Sequence, residues 1–264
     1  MYEYTPQPDC VEIPVKFFPY ASRFYLFKSD RAQIRLRVST LEEVRGLSER
    51  ELTGLASSNG LVKVSAISAD RKITGSTLVR GLPAPYTLAG TWKMELEGYK
   101  FEKVVEQMQQ LRSWTEDPRT KTFSGTGHYS LSFEPPEGFL DADSEVYLDL
   151  GVVGNVAAVE VNGQHAGVVW MRPYTVHVTE LLHAGENRVE VRVTNTLINH
   201  VSQLDELPGV PEALVPHYGK TAHIYKLGAG IWEHREKDFS PLPSSGLLGP
   251  VIMFARRRVK VELS

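Results

Sequence analysis

Carboxylates at Glu116, Asp117, Asp205, Glu206, Glu233 and Asp238 fall among turn-forming residues, and two of them facing each other across a substrate could act as acid and base. Nothing in their spacing imposes such a pair, and solvated loop acids are the ordinary reading. The eight histidines would suit metal chemistry only if clustered. There is no His-Glu-x-x-His run, and His217 and His223 are parted by a loop with Pro216 and Gly219, short of the supported ligand set that zinc needs. No metal and no cofactor is expected. His200, beside Asn199 after a strand end, is the better-placed titrating group, and His234 next to Trp232 is the second. A serine nucleophile is not indicated: Gly-x-Ser-x-Gly is missing, and Pro243-Ser244-Ser245-Gly246 leads into a strand pattern, not a helix. Flat aromatic faces bind sugar rings or stack on planar ligands. Trp114, Trp170, Tyr174, Tyr218, Tyr225 and Trp232 lie in or near loops. The expected ligand site combines Trp114, Asn195, Asn199, His200, Tyr218, Trp232, His234 and Asp238, while Trp92 and Trp170 read as core.

Strands must position these residues. In Arg188-Val189-Glu190-Val191-Arg192-Val193 the valines share one face and the charges the other, the pattern of a strand with one buried side. Tyr129-Leu131-Phe133 and Val146-Leu148-Leu150 repeat it. Asn162-Gly163 between apolar runs is a strong hairpin signal, because both turn residues need positive φ; Gly185-Glu186-Asn187 marks another turn. Many short strands separated by turn signals argue for a β-sandwich or jelly roll. Toward the N-terminus, Val11 to Lys28 reads as two strands around Pro19-Tyr20, with Phe24 and Leu26 apolar enough for burial. Thr40-Leu41-Glu42-Glu43 resembles a capping box opening a short helix through Leu47. Strands return at Leu61 to Val64 and Thr77 to Val79, about a turn near Asp70-Arg71-Lys72. Leu82-Pro83-Ala84-Pro85 reads as a rigid connector, and a helix is expected over Phe101 to Leu111, with an excursion between strands as the competing reading.

At 264 residues the chain can bury a sizeable core. Its net charge of −3, from 29 basic and 32 acidic residues mixed along the chain, leaves no footprint for a phosphate backbone, so nucleic acid is excluded as a partner. Arg256-Arg257-Arg258 reads as a solvated strand face. Cys10, the only cysteine, permits no internal disulfide and fits a reducing compartment. No secretory signal and no apolar run of the roughly 18 residues that span a bilayer is visible. The expectation is a cytoplasmic protein without membrane contact.

The order of several segments resembles the C-terminal β-sandwich of family 106, rhamnosidase-type glycoside hydrolases, and more distantly the sugar-binding domain of family 2. The segments are Leu82 to Trp92, Ser113-Trp114-Thr115, Phe123 to Tyr129, Leu148-Asp149-Leu150-Gly151, Val161-Asn162-Gly163, Gly167 to Trp170, Arg172-Pro173-Tyr174, Val193-Thr194-Asn195, Trp232-Glu233-His234, Asp238 to Leu242 and Gly246 to Val251. Ile13-Pro14-Val15 and Tyr20 to Phe27 resemble the last strands of the domain that precedes that sandwich. The resemblance implies an all-β fold: residues 1–84 a small β-rich subdomain, the remnant of a preceding domain, and residues 85–264 a galactose-binding-like sandwich. It also implies no glycosidase activity, because the related enzymes carry their paired carboxylates, roughly 5 to 10 Å apart, on a barrel with no counterpart in this sequence. Two departures stand out: His177 replaces an aspartate, and Leu197, Asn199 and His200 replace a tryptophan and an Asn-Arg pair.

Two functions are therefore expected ahead of a third, a purely structural interaction domain. One is a non-catalytic module binding a carbohydrate or other small ligand at the sandwich edge. The other is a small intracellular cyclase, isomerase or dehydratase of secondary metabolism that uses His200 or His234 as acid or base. Oligomeric state is not encoded in any visible pattern.

Overall fold

In the computed structural model, which describes residues 5–6, 11–12, 24, 34–69, 71–98, 101–203 and 242–264, nearly every element is a strand. β1 (Thr5–Pro6) and β2 (Val11–Glu12) pair with each other. β3 (Ile34–Ser39) is followed by the hairpin β4 (Glu43–Leu47) and β5 (Glu51–Ala56), and then by the hairpin β6 (Gly60–Ser68) and β7 (Arg71–Val79), whose register closes at Ser68↔Arg71. β8 (Tyr86–Thr87), β9 (Trp92–Gly98), β10 (Phe101–Met108) and β11 (Thr126–Phe133) come next. β12 (Ser144–Asp149), β13 (Val152–Gly154), β14 (Val156–Val161), β15 (Gln164–Val169), β16 (Thr175–His177) and β17 (Asn187–Thr194) lead to a single helical turn, α1 (Ile198–Val201). β18 (Gly246–Gly249) and the long β19 (Ile252–Glu262) complete the chain.

The larger sheet runs β10-β9-β11-β17-β14-β15, and the facing sheet runs β16-β12-β19-β5-β4, with β8 also on β19. Every ladder between named strands is antiparallel. Alternation explains the core. Val189, Val191 and Val193 of β17, Tyr129 and Leu131 of β11, and Ala157, Val159 and Val161 of β14 all point inward and meet Val146, Leu148, Met253 and Ala255 from the other sheet. The fold is an all-β antiparallel sandwich, as its periodicity requires.

A second hydrophobic cluster lies under the three-stranded sheet β3-β6-β7, where Leu36, Val62, Val64 and Ile73 pack on Leu52, Val259 and Val261. β19 joins the two clusters. Its first half pairs with β12 through Ser144↔Arg257, and its second half with β5 through Arg257↔Ala56 to Glu262↔Glu51. Thr74 and Ser264 also exchange two backbone hydrogen bonds of 3.0 Å. Gly75 is small for a reason: a Cβ there would meet the Glu262 carbonyl oxygen at 2.0 Å.

The Asn162-Gly163 turn joins β14 to β15, with φ of 53° and 74°, and Gly185 precedes β17 with φ of 84°. Both helices expected in the N-terminal half are strands. Thr40 does not cap: its Oγ1 accepts from the Lys63 backbone N–H at 3.0 Å, and its own N–H bonds the Lys63 carbonyl at 3.2 Å, so Glu43–Leu47 is held as β4 against β5. Phe101–Met108 pairs with β9, and a bulge between Phe101 and Val104 interrupts the alternation. Phe101, Val104, Met108 and Leu111 therefore reach the core at a spacing that imitates a helix. Phe24 is 97% exposed, not buried, and no described neighbour accounts for that. Leu26 and Cys10 lie outside the described residues. Among the described residues no helix is long and apolar enough to cross a membrane.

Candidate functional site

Of the eight residues expected at the ligand site, Tyr218, Trp232, His234 and Asp238 lie outside the described residues, as do Asp205, Glu206, His217, His223, Tyr225 and Glu233. Of the other four, Trp114 and Asn195 bond Ser245 just before β18, and Asn199 and His200 bond Lys121 and Ser124. Trp114 is 2% exposed. Its ring lies on Gly127, where a Cβ would come within 2.5 Å, and edge-on to Phe123 at 5.1 Å. Its Nε1–H donates to Tyr129 Oη at 2.6 Å, which also accepts from the Leu247 N–H at 3.1 Å. Burial pushes the Tyr129 hydroxyl up to about 12. Trp114 is thus a core residue and offers a ligand no open face. Asn195 accepts from the Gly125 N–H at 2.9 Å and donates to the Phe123 carbonyl at 2.9 Å and to Ser245 Oγ at 3.2 Å. Asn199 is fully buried and donates to the Lys121 carbonyl at 3.1 Å, while its Oδ1 has no hydrogen-bond partner among the described residues. The His200 backbone donates to Ser124 Oγ at 2.9 Å, and its Nδ1 lies 3.1 Å from Gln203 Nε2.

Glu116 and Asp117 are likewise engaged. The Glu116 carboxylate accepts from the Ser113 N–H at 3.0 Å in a capping box. The Asp117 carboxylate is gripped by Arg119, which holds it down at about 2. Among the described residues no three His, Cys, Asp or Glu side chains are grouped to hold a metal.

The sequence reading missed a polar groove on the outer face of the larger sheet. A cleft of about 250 Å³ is lined by Lys93 and Glu95 of β9, His128 and Ser130 of β11, Glu160 of β14, and Arg188, Glu190 and Arg192 of β17. It continues into a second hollow of about 260 Å³ that adds Thr91 and Ser132. Register fixes the rows: Ala158↔Arg192↔His128↔Glu95, then Glu160↔Glu190↔Ser130↔Lys93. Two carboxylates thus face each other at Glu160↔Glu190, which would be unfavourable alone. Arginines offset it: Arg192 donates to Glu160 at 2.7 Å, and Arg188 lies 2.7 Å from Glu190. Lys93 and Lys103 grip Glu95 and hold its carboxyl below the usual range. The signal was present in the sequence, as the polar half of each alternating strand, but that half reads as ordinary solvated surface.

Trp170, expected in the core, is 66% exposed. It follows β15 one position after Val169, whose side chain packs on the core, so alternation turns Trp170 outward. Trp92 is core, at 2% exposure. On the opposite sheet Glu145 accepts from Arg45 at 2.5 and 2.8 Å, from Tyr147 Oη at 2.8 Å and from Arg258 at 3.1 Å. Arg256 covers the Tyr147 ring, and Arg257 binds Asp141 at 3.0 Å. The three arginines are thus partnered, where simple solvation was expected. His177 stands 4.9 Å from the Tyr147 ring and 2.7 Å from Thr179 Oγ1.

No family model matches the chain. Over 260 residues, 94% of its length, it is 29% identical to a Formosa agariphila protein named "Putative beta-glucuronidase", and it spans 22% of that protein. In structure it is similar to a rhamnosidase from Novosphingobium sp. PP1Y, with a TM-score of 0.49 and 19% identity over 85% of this chain and 25% of that one. It is also similar to the Bifidobacterium dentium beta-glucuronidase complexed with coumarin-3-O-glucuronide, with a TM-score of 0.44 and 21% identity over 68% of this chain and 30% of that one. The chain spans about a fifth of the length of the curated relative it matches.

Proposed function

We propose that this chain is a non-catalytic, carbohydrate-binding β-sandwich of galactose-binding-like type, from the lineage of the rhamnosidase-type family 106 enzymes. The observation that carries the reading is the groove on the larger sheet, where donors and acceptors alternate over a rigid floor. Cross-strand hydrogen bonds fix its register on β9, β11, β14 and β17, so little conformational freedom is lost when a ligand docks. Sugars present paired hydroxyls, each both donor and acceptor, and such a surface matches them.

The partnering of the groove's acids supports the non-catalytic reading. A glycosidase needs one carboxyl protonated and another free as base or nucleophile. In the groove Glu160 and Glu95 are ion-paired and Glu190 lies against Arg188, and Lys93 and Lys103 hold the Glu95 carboxyl below its usual range. The test is a direct one: incubate the full chain with aryl rhamnoside and aryl β-glucuronide, and separately screen it on a glycan array. The expected outcome is binding without turnover. Turnover above the buffer rate, abolished in Glu160→Gln or Glu190→Gln, would overturn the non-catalytic reading; failure to bind any glycan would overturn the binding one.

A further inference from the structure

Resting on that carbohydrate-binding reading, we infer that the ligand is a neutral oligosaccharide lying in the outer-face groove, with Trp170 as its ring platform and Arg192, Glu160 and His128 as hydroxyl contacts. Four observations carry this. First, two of the chain's tryptophans, Trp92 and Trp114, are 2% exposed, whereas Trp170 is 66% exposed, and a flat apolar face left in water suits the CH face of a pyranose.

Second, Trp170 belongs to the same side of the sheet as the groove. Val168 sits opposite Ala158, and Ala158 opposite Arg192; Val168 and Val156 are themselves exposed at 54% and 37%. These two valines and Trp170 form an apolar shelf at one corner. With strands about 4.8 Å apart and residues about 3.3 Å apart, the Cα atoms of Trp170 and Arg192 lie about 12 Å from each other, a span for a short oligosaccharide. Third, the residue between them is small. Ala158 projects only a methyl group between Val168 and Arg192, so the path from platform to polar row is not blocked.

Fourth, the groove's charges balance. Three cations (Lys93, Arg188, Arg192) and three carboxylates (Glu95, Glu160, Glu190) line it, and each cation lies against one of those carboxylates. A uronate would have to displace a carboxylate already in place. A neutral diol need not: a guanidinium has five donors and a carboxylate about four lone-pair sites, so each ion pair keeps free positions for one hydroxyl as acceptor and its neighbour as donor.

The experiment is calorimetric titration of the full chain with cellohexaose and xylohexaose as neutral probes and oligogalacturonate as the acidic one, repeated with Trp170→Ala and Arg192→Met. A neutral probe should bind, with affinity moving less than about twofold between about 0.05 and about 0.5 M NaCl, since no net charge is screened. Trp170→Ala should weaken it by about tenfold or more with an unchanged melting temperature, because the side chain is exposed; Arg192→Met should weaken it similarly. Preference for oligogalacturonate that collapses in salt would overturn the inference. So would sedimentation showing that Trp170 instead seals a dimer, with titration unaffected in Trp170→Ala. Neutral-probe binding that survives both variants but is lost in His200→Ala would also overturn it, placing the site at the sandwich edge and leaving the carbohydrate reading intact. Binding of no probe at all would remove that reading too.

Discussion

Glu145→Gln isolates the anion that ties the two hydrophobic clusters together. Glu145 lies on β12, next to the end of the first cluster, and its two arginine partners come from β4 and β19, which border the second. Its side chain is 7% exposed. Arg45 is the main cause of its lowered pKa; burial opposes, and Tyr147 and Arg258 add to the lowering, so that the carboxyl is held at about 2 against an ordinary 4.5. At about 1.4 kcal/mol per pH unit that gap corresponds to about 3 kcal/mol. Arg45 and Arg258 are 41% and 46% exposed, and solvent screens them, so about 2 kcal/mol is the better expectation. Because the folded carboxyl sits below its unfolded value, this stability is complete above about pH 5, erodes as pH falls from about 4.5 toward about 2, and is gone below. The glutamine keeps the shape and one acceptor but cannot titrate. Urea unfolding of both proteins from neutral pH down to about pH 2 should show the variant weaker by about 2 kcal/mol at neutrality and the two curves converging through that acid window. Parallel curves, or a variant equally stable at neutrality, would refute the idea that this ion pair stabilises the fold.

Tyr129→Phe leaves the Trp114 Nε1–H and the Leu247 N–H without their acceptor in a buried site, and each such loss costs about 1 to 3 kcal/mol; thermal melting should fall by several degrees, while an unchanged midpoint would mean that another acceptor takes both donors. Asn195→Ala removes three hydrogen bonds that hold Gly125, Phe123 and Ser245 together; it should cost about 1 to 3 kcal/mol in chemical denaturation with glycan affinity unaltered, and loss of affinity without loss of stability would restore Asn195 to the ligand site.

The sandwich was legible in the sequence because alternation is a local signal: each inward valine of β17 is marked as such by its charged neighbours. The helix expectations at Thr40 and Phe101 failed where the deciding partner is distant. Lys63 captures the hydroxyl that would cap the first, and a bulge on β10 shifts the apolar spacing of the second. The roles of Trp114 and Trp170 were inverted for a related reason. Sequence proximity to a turn says where the backbone goes, but burial depends on what lies opposite. Gly127 makes room for the Trp114 ring, whereas Trp170 runs one residue past β15 and is left exposed.

The groove escaped notice because its residues come from four strands that are far apart in sequence, and no one of them shows an unusual composition. Cross-strand pairing assembles them, and the same pairing explains why such a face can acquire a ligand without disturbing the fold. The inward residues of β17 are fixed by side chains from both sheets, with Val189, Val191 and Val193 fully buried, so changing one opens a cavity costing about 1 to 3 kcal/mol or more. The outward residues answer only to their neighbours across the strand. Exchanging Arg192 with Glu160, or replacing Ser130, alters donors and acceptors at a cost typical of surface pairs, about 1 kcal/mol or less. Recognition on this side of the sheet can therefore vary independently of stability on the other.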